Sequence, residues 1–324
     1  MEISGLREFL KQDMLRVEAL IETSLRSDIA LLDTTNGMIL SHGGKRLRPM
    51  LSLLVAGACG RVNDDTIRFA AASELLHNAT LLHDDVVDGS TQRRGVPTVM
   101  SVLNGPASVL IGDFWLVKAM DNILAADRCS ERVIRLFAKT LADLAEGELL
   151  QMQKASSADT TEEDYLRIIY SKTGSLFEAS ALSAAISVQA SSQTEAAVAA
   201  YARNLGVAFQ IRDDMFDYTD GAAIGKPVGI DLQEQKITQP LLCALESAPS
   251  LSPAIREKVA HIHENPAYAA EVCSFVKAQD GLSKAEEKLE FYIGNAISCL
   301  ESIPFSEEKS YLAKLARYVG ERTV

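Results

Sequence analysis

Two clusters of aspartates in this sequence share one spacing, in which two adjacent residues are followed three positions later by a third. They are Asp84, Asp85 and Asp88 in the first cluster and Asp213, Asp214 and Asp217 in the second. On a helix, residues four apart lie on the same face, so the outer pair of each cluster can reach one cation together. Mg²⁺ takes oxygen ligands, keeps several waters and is commonly completed by substrate phosphates. The repeated spacing therefore predicts Mg²⁺ sites that receive a phosphorylated substrate.

Each aspartate cluster ends an apolar segment and precedes basic residues. Arg93 and Arg94 follow the first cluster, and Lys226 and Lys236 follow the second. A solvated helix end would explain one such cluster, but the helix dipole disfavours carboxylates at a C-terminal end. Two copies, each followed by cations, favour a function over a solvated surface. If the two helix ends face each other, bound divalent cations would reverse the local charge and attract phosphate.

The composition is that of a globular, helix-rich and acidic chain. Of its 324 residues, 47% are hydrophobic and 23% are charged, with only 9 prolines and 19 glycines. The formal net charge of −12 predicts repulsion from nucleic acid, so we expect no such partner. The five cysteines are scattered without a Cys-x-x-Cys pair, which favours reduced thiols and a cytoplasmic location. The longest apolar run, MLSLLVAGACG, is too short to span a bilayer, so no transmembrane segment is expected.

Helical periodicity runs through nearly the whole sequence, and no segment alternates like a strand. The pattern predicts helices that include residues 6–32, 64–88, 194–219, 234–247 and 268–301. The helix at 64–88 would carry the first aspartate cluster, and the helix at 194–219 the second. The breaks between helices are too short to separate domains. We therefore expect an all-α fold, a single-domain multi-helix bundle covering residues 1–324.

Five further motifs, taken with the aspartate clusters, resemble the trans-isoprenyl diphosphate synthase (polyprenyl synthetase) family. They are GGKRLRP at 43–49, RRG at 93–95, AEGELLQ at 145–151, SKTGSLFE at 171–178 and GKPVGIDLQEQKITQP at 225–240. The resemblance implies a central cavity within the bundle, a homodimer and a Mg²⁺-dependent prenyltransferase. The reaction it implies is the head-to-tail condensation of isopentenyl diphosphate with an allylic diphosphate such as farnesyl diphosphate, with release of pyrophosphate.

The resemblance assigns the acidic residues to metal binding and catalysis. By this resemblance, the metal ligands are Asp84, Asp88 and Asp213, supported by Asp85, Asp214 and Asp217. Three Mg²⁺ ions are implied in each active site. Lys172 and Lys226 join the aspartates as catalytic residues. Gln151, at the end of AEGELLQ, would hydrogen-bond the metal-bound carboxylates.

A compact cationic group, Lys45, Arg46 and Arg48, precedes a helix and suits a diphosphate that carries no metal of its own. By resemblance, the residues that hold isopentenyl diphosphate are Lys45, Arg48, His77 and Arg94. Those that hold the allylic diphosphate or line its site are Arg93, Lys172, Thr173, Gln210, Lys226 and Lys236. In one departure, Gln235 stands where the family usually has glycine, which puts the placement of Lys236 in question.

Product length should depend on the cavity below Asp84. Ala79 and Thr80 lie about one helical turn before it, where short-chain members of the family typically carry an aromatic plug. Small residues at both positions resemble the long-chain, octaprenyl-type synthases that make quinone side chains. Phe69 and Phe137 are candidates for the floor of the cavity.

Three alternatives remain open from the sequence. A short-chain (geranylgeranyl) synthase would carry the same motifs and differ only in its cavity. A class I terpene cyclase would share the fold and the first cluster, but would normally replace DDMFD with an Asn/Ser/Glu metal motif. A noncatalytic partner subunit of a heteromeric synthase would usually lose one aspartate cluster, whereas this chain keeps both.

Overall fold

The computed structural model describes residues 3–42, 44–93, 95–219 and 229–322, apart from the side chains of Ile3 and Ser4. These residues are predominantly helical, which confirms the all-α expectation. The helices are α1 (Ile3–Phe9), α2 (Lys11–Ser24), α3 (Ala30–Ser41), α4 (Leu47–Cys59), α5 (Asp64–Val87), α6 (Val99–Val102), α7 (Gly105–Leu124), α8 (Ser130–Ser157), α9 (Glu162–Ile169), α10 (Ser175–Ser187), α11 (Ser192–Phe216), α12 (Ile230–Gln233), α13 (Gln239–Ser247), α14 (Ser252–Ala260), α15 (Ala267–Ala278), α16 (Gly281–Cys299) and α17 (Glu307–Glu321). Within the described ranges, no helix has both the length and the apolar character needed to cross a membrane.

The predicted helix at 6–32 is wrong in its bounds, because the structure has three helices there and the third, α3, reaches Ser41. The break between α1 and α2 is a single residue, which hardly changes the helical phase. The buried side chains of both helices therefore form one continuous stripe, which includes Leu6 and Met14. After α2 the chain turns, and the Ile29 N–H donates to the Ser27 hydroxyl at 3.2 Å. A polar turn inside an otherwise periodic pattern is the feature that the periodicity missed.

Two other predicted helices also have different bounds. The predicted helix at 268–301 divides into α15 and α16, and Asp280 at the junction takes a left-handed φ of 55°. The predicted helix at 234–247 begins only at Gln239, where Pro240 occupies the first turn of α13. Proline suits that position because its missing N–H would have no helical partner there.

Helix α10 lies at the centre of the bundle, in contact with α4, α5, α8 and α11. Its serines are small and fully buried, which lets neighbouring backbones approach closely, and Ser52 of α4 donates to the Ser180 carbonyl at 2.9 Å. Helix α10 therefore packs against both α5 and α11, the two helices that end in the aspartate clusters.

A π-helix at Tyr170–Gly174 carries Lys172 and Thr173 between α8 and α11. Such wide turns frequently occur at functional sites. Two glycines permit the close approach: a β-carbon on Gly147 would lie 2.6 Å from the Ser171 β-carbon, and one on Gly206 would lie 2.5 Å from the Gly174 α-carbon. Only glycine fits at these contacts, so the sequence itself brings α8 and α11 against the π-helix.

The chain after α5 forms a short antiparallel ladder, β1 (Gln92–Arg93) and β2 (Val96–Pro97), in which Arg93 pairs with Val96. Two residues per strand are too few to produce the alternation that the sequence pattern could have shown. The ladder turns the chain back towards the end of α5, and this places Arg93 beside the first aspartate cluster.

Candidate active site

The first aspartate cluster lies at the C-terminal end of α5. Asp85 is buried, and its Oδ1 accepts from Arg93 Nε at 2.8 Å and forms an ion pair with Arg93 Nη2, also at 2.8 Å. Asp84 is half-buried, and Asp88 caps the helix through its N–H, which donates to the Asp84 carbonyl at 2.8 Å. The three carboxylates are therefore not equivalent, because Asp85 is committed to an arginine of the following ladder.

Electrostatics make a cation favourable beside Asp84 and Asp88. Burial raises the pKa of Asp84 to about 6; Lys172 and Arg93 oppose this shift, while Glu148 and Asp88 add to it. Burial also raises the pKa of Asp88, with Glu234 and Glu148 adding to the effect and Lys236 opposing it. Carboxylates whose charged form is unfavourable gain most from a bound cation, so this donor set fits Mg²⁺. In the described residues no three acidic, histidine or cysteine side chains converge on one point, so an ion here would need oxygens from water or phosphate.

Asp214 of the second cluster is buried in a hydrogen-bonded network. Its Oδ1 accepts from Gln210 Nε2 at 2.8 Å, and its Oδ2 accepts from the Tyr165 hydroxyl at 2.7 Å. Thr173 of the π-helix in turn donates to Gln210 Oε1 at 2.7 Å. Burial raises the pKa of Asp214 well above its usual range, and the charge of Asp231 adds to this. The network ties the π-helix and α9 to the end of α11.

The other two aspartates of the second cluster have different partners. Asp217 accepts from the backbone N–H groups of Ile230 at 2.9 Å and Asp231 at 3.1 Å, so its carboxylate holds the start of α12. Asp213 accepts from Arg322 Nη2 at 2.7 Å. Asp214 is buried, whereas 36% of the Asp213 side chain is accessible.

Two lysines, Lys172 and Lys236, lie near the first aspartate cluster and near Asp231. Lys172 pairs with Glu148 at 2.5 Å, and its charge acts on Asp84 and Asp88 as well as on Asp231. Lys236 pairs with Glu234. Burial alone would lower the pKa of Lys236, but Asp231, Glu234 and Asp88 together raise it. Both ammonium groups therefore lie between the first cluster and Asp231, whose charge acts on Asp214 of the second cluster, and they would meet a diphosphate bound there.

A cavity of about 140 Å³ adjoins these groups. Its lining includes five residues that the sequence analysis had singled out, namely Gln151, Lys172, Gln210, Asp214 and Lys236. It also includes Asp231, a buried carboxyl that the sequence analysis missed; burial and the charge of Asp217 raise its pKa to about 7. Tyr165 and Glu148 were missed as well. Two of these residues could have been found from the sequence, because Glu148 lies in the motif AEGELLQ and Asp231 in the motif GKPVGIDLQEQKITQP.

Gln235 ends α12 in a Schellman motif. It takes a left-handed φ of 58°, its N–H donates to the Leu232 carbonyl at 2.9 Å, and the Lys236 N–H donates to the Asp231 carbonyl at 2.8 Å. Glycine is the usual residue at such a position because it has no β-carbon penalty. The Gln235 side chain reaches the Ala260 carbonyl instead, at 2.5 Å. The departure from glycine thus leaves the left-handed turn that presents Lys236 intact.

The cationic group before α4 is divided in the structure. Arg46 turns away and donates to Glu74 Oε1 at 2.6 Å in a buried ion pair. The Lys45 ammonium lies 5.9 Å from the Tyr318 ring centre, and the Arg48 guanidinium lies 4.7 Å from the Phe177 ring centre. His77 is half-buried on α5, and its carbonyl accepts from the Thr80 hydroxyl at 2.8 Å. Arg94 and Lys226 lie outside the described residues.

The four candidate product-length residues are on α5 and α8. Ala79, Phe69 and Phe137 are fully or almost fully buried, and Thr80 is partly exposed. Burial of this kind suits a cavity wall and ordinary core packing equally, so their role stays a prediction.

Comparisons with known proteins agree on one family. The family model described as polyprenyl synthetase matches residues 30–276. Octaprenyl diphosphate synthase of Escherichia coli (strain K12) is 37% identical over 99% of both chains. The crystal structure of a decaprenyl diphosphate synthase from Rhodobacter capsulatus has a TM-score of 0.93 and 34% identity, covering 99% of both chains. A polyprenyl synthase from Caulobacter crescentus CB15, complexed with calcium and isoprenyl diphosphate, has a TM-score of 0.92 and 31% identity, covering 100% of this chain and 98% of that one. This chain belongs to the polyprenyl synthetase family, and it is a prenyltransferase.

Proposed function

We propose that the protein is a long-chain trans-polyprenyl diphosphate synthase that condenses isopentenyl diphosphate with an allylic diphosphate and releases pyrophosphate. One observation carries the proposal: the lysines Lys172 and Lys236 lie between the first aspartate cluster and Asp231, the buried carboxyl beside the second cluster, and both line one cavity. A group of this charge pattern suits a diphosphate with its counter-cations. The similarity to octaprenyl and decaprenyl diphosphate synthases supports the long-chain product.

The proposed metal ligands are Asp84, Asp88 and Asp213. Support comes from the raised pKa of Asp84 and Asp88, and from a relative whose structure holds calcium with isoprenyl diphosphate. When bound, Mg²⁺ supplies positive charge that neutralises the oxygens of the departing pyrophosphate. We propose three ions in each active site. The other three aspartates support these ligands. Asp85 fixes Arg93, Asp214 fixes the π-helix side of the site, and Asp217 fixes the start of α12.

The cations divide between the two substrates. We propose that isopentenyl diphosphate is held by Lys45, Arg48, His77 and Arg94. The allylic diphosphate is held by Arg93, Lys172, Lys226 and Lys236. Thr173 and Gln210 position the second group by fixing the π-helix against α11. As the allylic C–O bond breaks, its electron pair leaves with pyrophosphate, and the double bond of isopentenyl diphosphate attacks the allylic carbon. The proton lost in the last step goes to pyrophosphate.

Walls without water are required for this chemistry, since water would convert the allylic cation to an alcohol. Buried aliphatic and small residues of α4, α5 and α10 supply such walls. The chain is proposed to fold as one domain over residues 1–324 and to act in the cytoplasm.

A homodimer is proposed from an exposed apolar stripe on α7. Leu110, Val117 and Leu124 lie seven residues apart, on one face, and are 69%, 55% and 60% exposed. Leu149 and Met152 on α8 are exposed as well. Contiguous apolar surface on a water-exposed helix indicates a protein interface, and a second copy offers a self-complementary one. Measurement of the molar mass in solution tests this.

The test of the function is incubation of the purified protein with farnesyl diphosphate, isopentenyl diphosphate and Mg²⁺, followed by mass spectrometry of the dephosphorylated products. We expect pyrophosphate release that depends on Mg²⁺ and prenols longer than C20. Products that stop at C20 would instead indicate a geranylgeranyl synthase. A hydrocarbon made without isopentenyl diphosphate would indicate a terpene cyclase, and no release by the protein alone would indicate a partner-dependent subunit.

A further inference from the structure

Arg322, which follows α17, makes a buried contact with the second aspartate cluster. Only 5% of its side chain is exposed. Its Nη2 donates to Asp213 Oδ1 at 2.7 Å and to the Phe209 carbonyl at 2.9 Å. Phe209 and Asp213 are four residues apart on α11. One guanidinium therefore binds both the backbone of one helical turn and the carboxylate that follows on the next turn.

Arg322 is held in place by contacts that do not involve Asp213. Its guanidinium carbon lies 3.9 Å from the ring centre of Phe209 and 5.4 Å from that of Phe216. Its carbonyl accepts from Arg212 Nε at 2.9 Å, and Arg212 is itself paired with Glu286 at 3.0 Å. A guanidinium fixed by stacking and by its own backbone offers Asp213 a rigid partner rather than a mobile counter-ion.

We propose that Arg322 is a positioning residue for the metal ligand Asp213, holding its Oδ1 so that Oδ2 is presented to the cation. The proposal rests on the proposed function, which makes Asp213 a ligand. The end of a helix is prone to fray, and a carboxylate with 36% exposure has several rotamers open to it. Hydrogen bonds that orient metal-ligating carboxylates typically change metal affinity by about 10- to 100-fold when they are removed.

A guanidinium can also compete with a metal ion for the same carboxylate. Competition and positioning predict changes of opposite sign in metal affinity when Arg322 is removed. Removing a competitor would tighten metal binding, whereas removing a positioning group weakens it. The anchors of Arg322 on Phe209, Phe216 and Arg212 keep the guanidinium in place whether or not Asp213 binds a cation, and this favours positioning.

Metal affinity is measured by titrating the protein with Mn²⁺ in the presence of pyrophosphate and following free Mn²⁺ by electron paramagnetic resonance. Arg322→Gln removes the charge and the fork, and Arg322→Lys keeps the charge without the stacked fork. Arg317→Gln on the exposed face of α17 is the matched control for loss of one positive charge. We expect Arg322→Gln to bind Mn²⁺ about 10- to 100-fold more weakly, Arg322→Lys to be intermediate, and the control to match wild type.

The same titration with Asp213→Asn separates this inference from the proposed function. If Arg322 acts through Asp213, Arg322→Gln should cause no further loss in the Asp213→Asn background. Unchanged or tighter Mn²⁺ binding in Arg322→Gln would overturn the inference, while a normal affinity in Asp213→Asn would overturn the assignment of Asp213 itself. Should Arg322→Gln fail to fold, as judged by thermal unfolding, Arg322→Lys decides the matter, and an affinity equal to wild type would then contradict the proposal.

Discussion

At the residue scale, the six aspartates differ in what their carboxylates already bind. Asp85 holds Arg93, Asp214 accepts from Gln210 and Tyr165, and Asp217 holds the backbone at the start of α12. Aspartates at equivalent positions of the two clusters therefore have different hydrogen-bond partners. The partners of each carboxylate, rather than its place in the motif, determine which neighbouring groups it orients.

Asp84→Asn and Asp213→Asn should each lower turnover by about 100-fold or more, because charge stabilisation by a bound metal is worth several kcal/mol. Both variants should stay folded: burial already disfavours the Asp84 charge, and asparagine keeps an acceptor for Arg322. Steady-state pyrophosphate release and thermal unfolding are the measurements. Asp33→Asn, on the exposed part of α3, is the control. Near-normal turnover at ordinary Mg²⁺ in either site variant would contradict the metal assignment.

The division of the cations between substrates is also a residue-scale prediction. Lys45→Ala and Arg48→Ala should raise the KM for isopentenyl diphosphate, and Lys226→Ala the KM for the allylic diphosphate. Loss of a charge-assisted contact costs about 1.5–3 kcal/mol, or roughly tenfold to a hundredfold in affinity. Lys314→Ala on the exposed face of α17 serves as the control. Equal changes in both KM values for all three site variants would show that the division is wrong.

At the element scale, the site depends on how closely α8 and α11 approach the π-helix. No added atom can be accommodated between Gly206 and Gly174, because the neighbour is backbone rather than a mobile side chain. This contact sets the distance over which Thr173 reaches Gln210, and so fixes the position of Asp214.

Gly206→Ala should therefore destabilise the protein by about 1–3 kcal/mol, the usual cost of overpacking, and raise the KM for the allylic diphosphate. Gly294→Ala is the matched control, since it also lies inside a long helix and has open space around it. There alanine should be neutral or stabilise by up to about 1 kcal/mol. Urea unfolding of both variants gives the comparison, and equal stabilities would contradict the packing argument.

Helix α9 carries Tyr165 and begins with a reciprocal cap between Thr161 and Asp164. Burial opposes the charge of Asp164, but Lys154 and the Thr161 backbone and hydroxyl groups lower its pKa to about 2. A depressed folded-state pKa stabilises the protein above the unfolded value of 3.8, and this contribution disappears as the pH falls towards 2.

Asp164→Ala should thus cost about 1 kcal/mol at pH 7, a typical capping contribution. The difference from wild type should narrow as the pH is lowered from about 5 towards 2, because the unfolded state of wild type takes up the Asp164 proton at a higher pH than the folded state does. Urea unfolding at several pH values measures it. Glu163→Ala, at an exposed position in the first turn of α9, provides the control. A difference for Asp164→Ala that stayed constant with pH would rule out this account.

At the scale of the whole molecule, we expect the bundle to surround the growing product, so that its dimensions decide product length. Each C5 unit adds on the order of 5 Å, about one helical turn. Ala79 is packed inside the bundle about one turn before Asp84. A dense helical interior shifts little to admit a larger side chain.

Ala79→Tyr should therefore stop growth after few additions, giving products no longer than about C20, because the new ring cannot be displaced from the dense wall. The first condensation should survive, because the proposed metal ligands Asp84, Asp88 and Asp213 are unchanged. Phe69→Ala, assayed at the same substrate ratio, should leave the products unchanged or lengthen them. An active Ala79→Tyr enzyme that still made wild-type products would show that Ala79 does not face the growing chain.

The sequence by itself determined the helical class, the position of the two aspartate clusters at the C-terminal ends of α5 and α11, and the presence of a cation, Arg93, beside the first cluster. The hydrophobic periodicity and the recurring aspartate spacing are local patterns. Such patterns indicate a helix and its end without information about the rest of the chain. The capped start of α5 at Asn63 and the acidic ends of both helices are of this kind.

The tertiary structure alone decided which groups meet. Nothing in the sequence near Asp213 indicates Arg322, which is 109 residues away, and nothing near Asp214 indicates Tyr165, which is 49 residues away. The separation of Arg46 from Lys45 and Arg48 depends on Glu74 of another helix. Partners of this kind are brought together because α9 and α17 pack against α11 while α5 and α11 pack against α10, and packing is a property of the whole chain. A carboxylate's pKa and orientation depend on those distant partners, so the residue types were readable in advance while their individual roles were not.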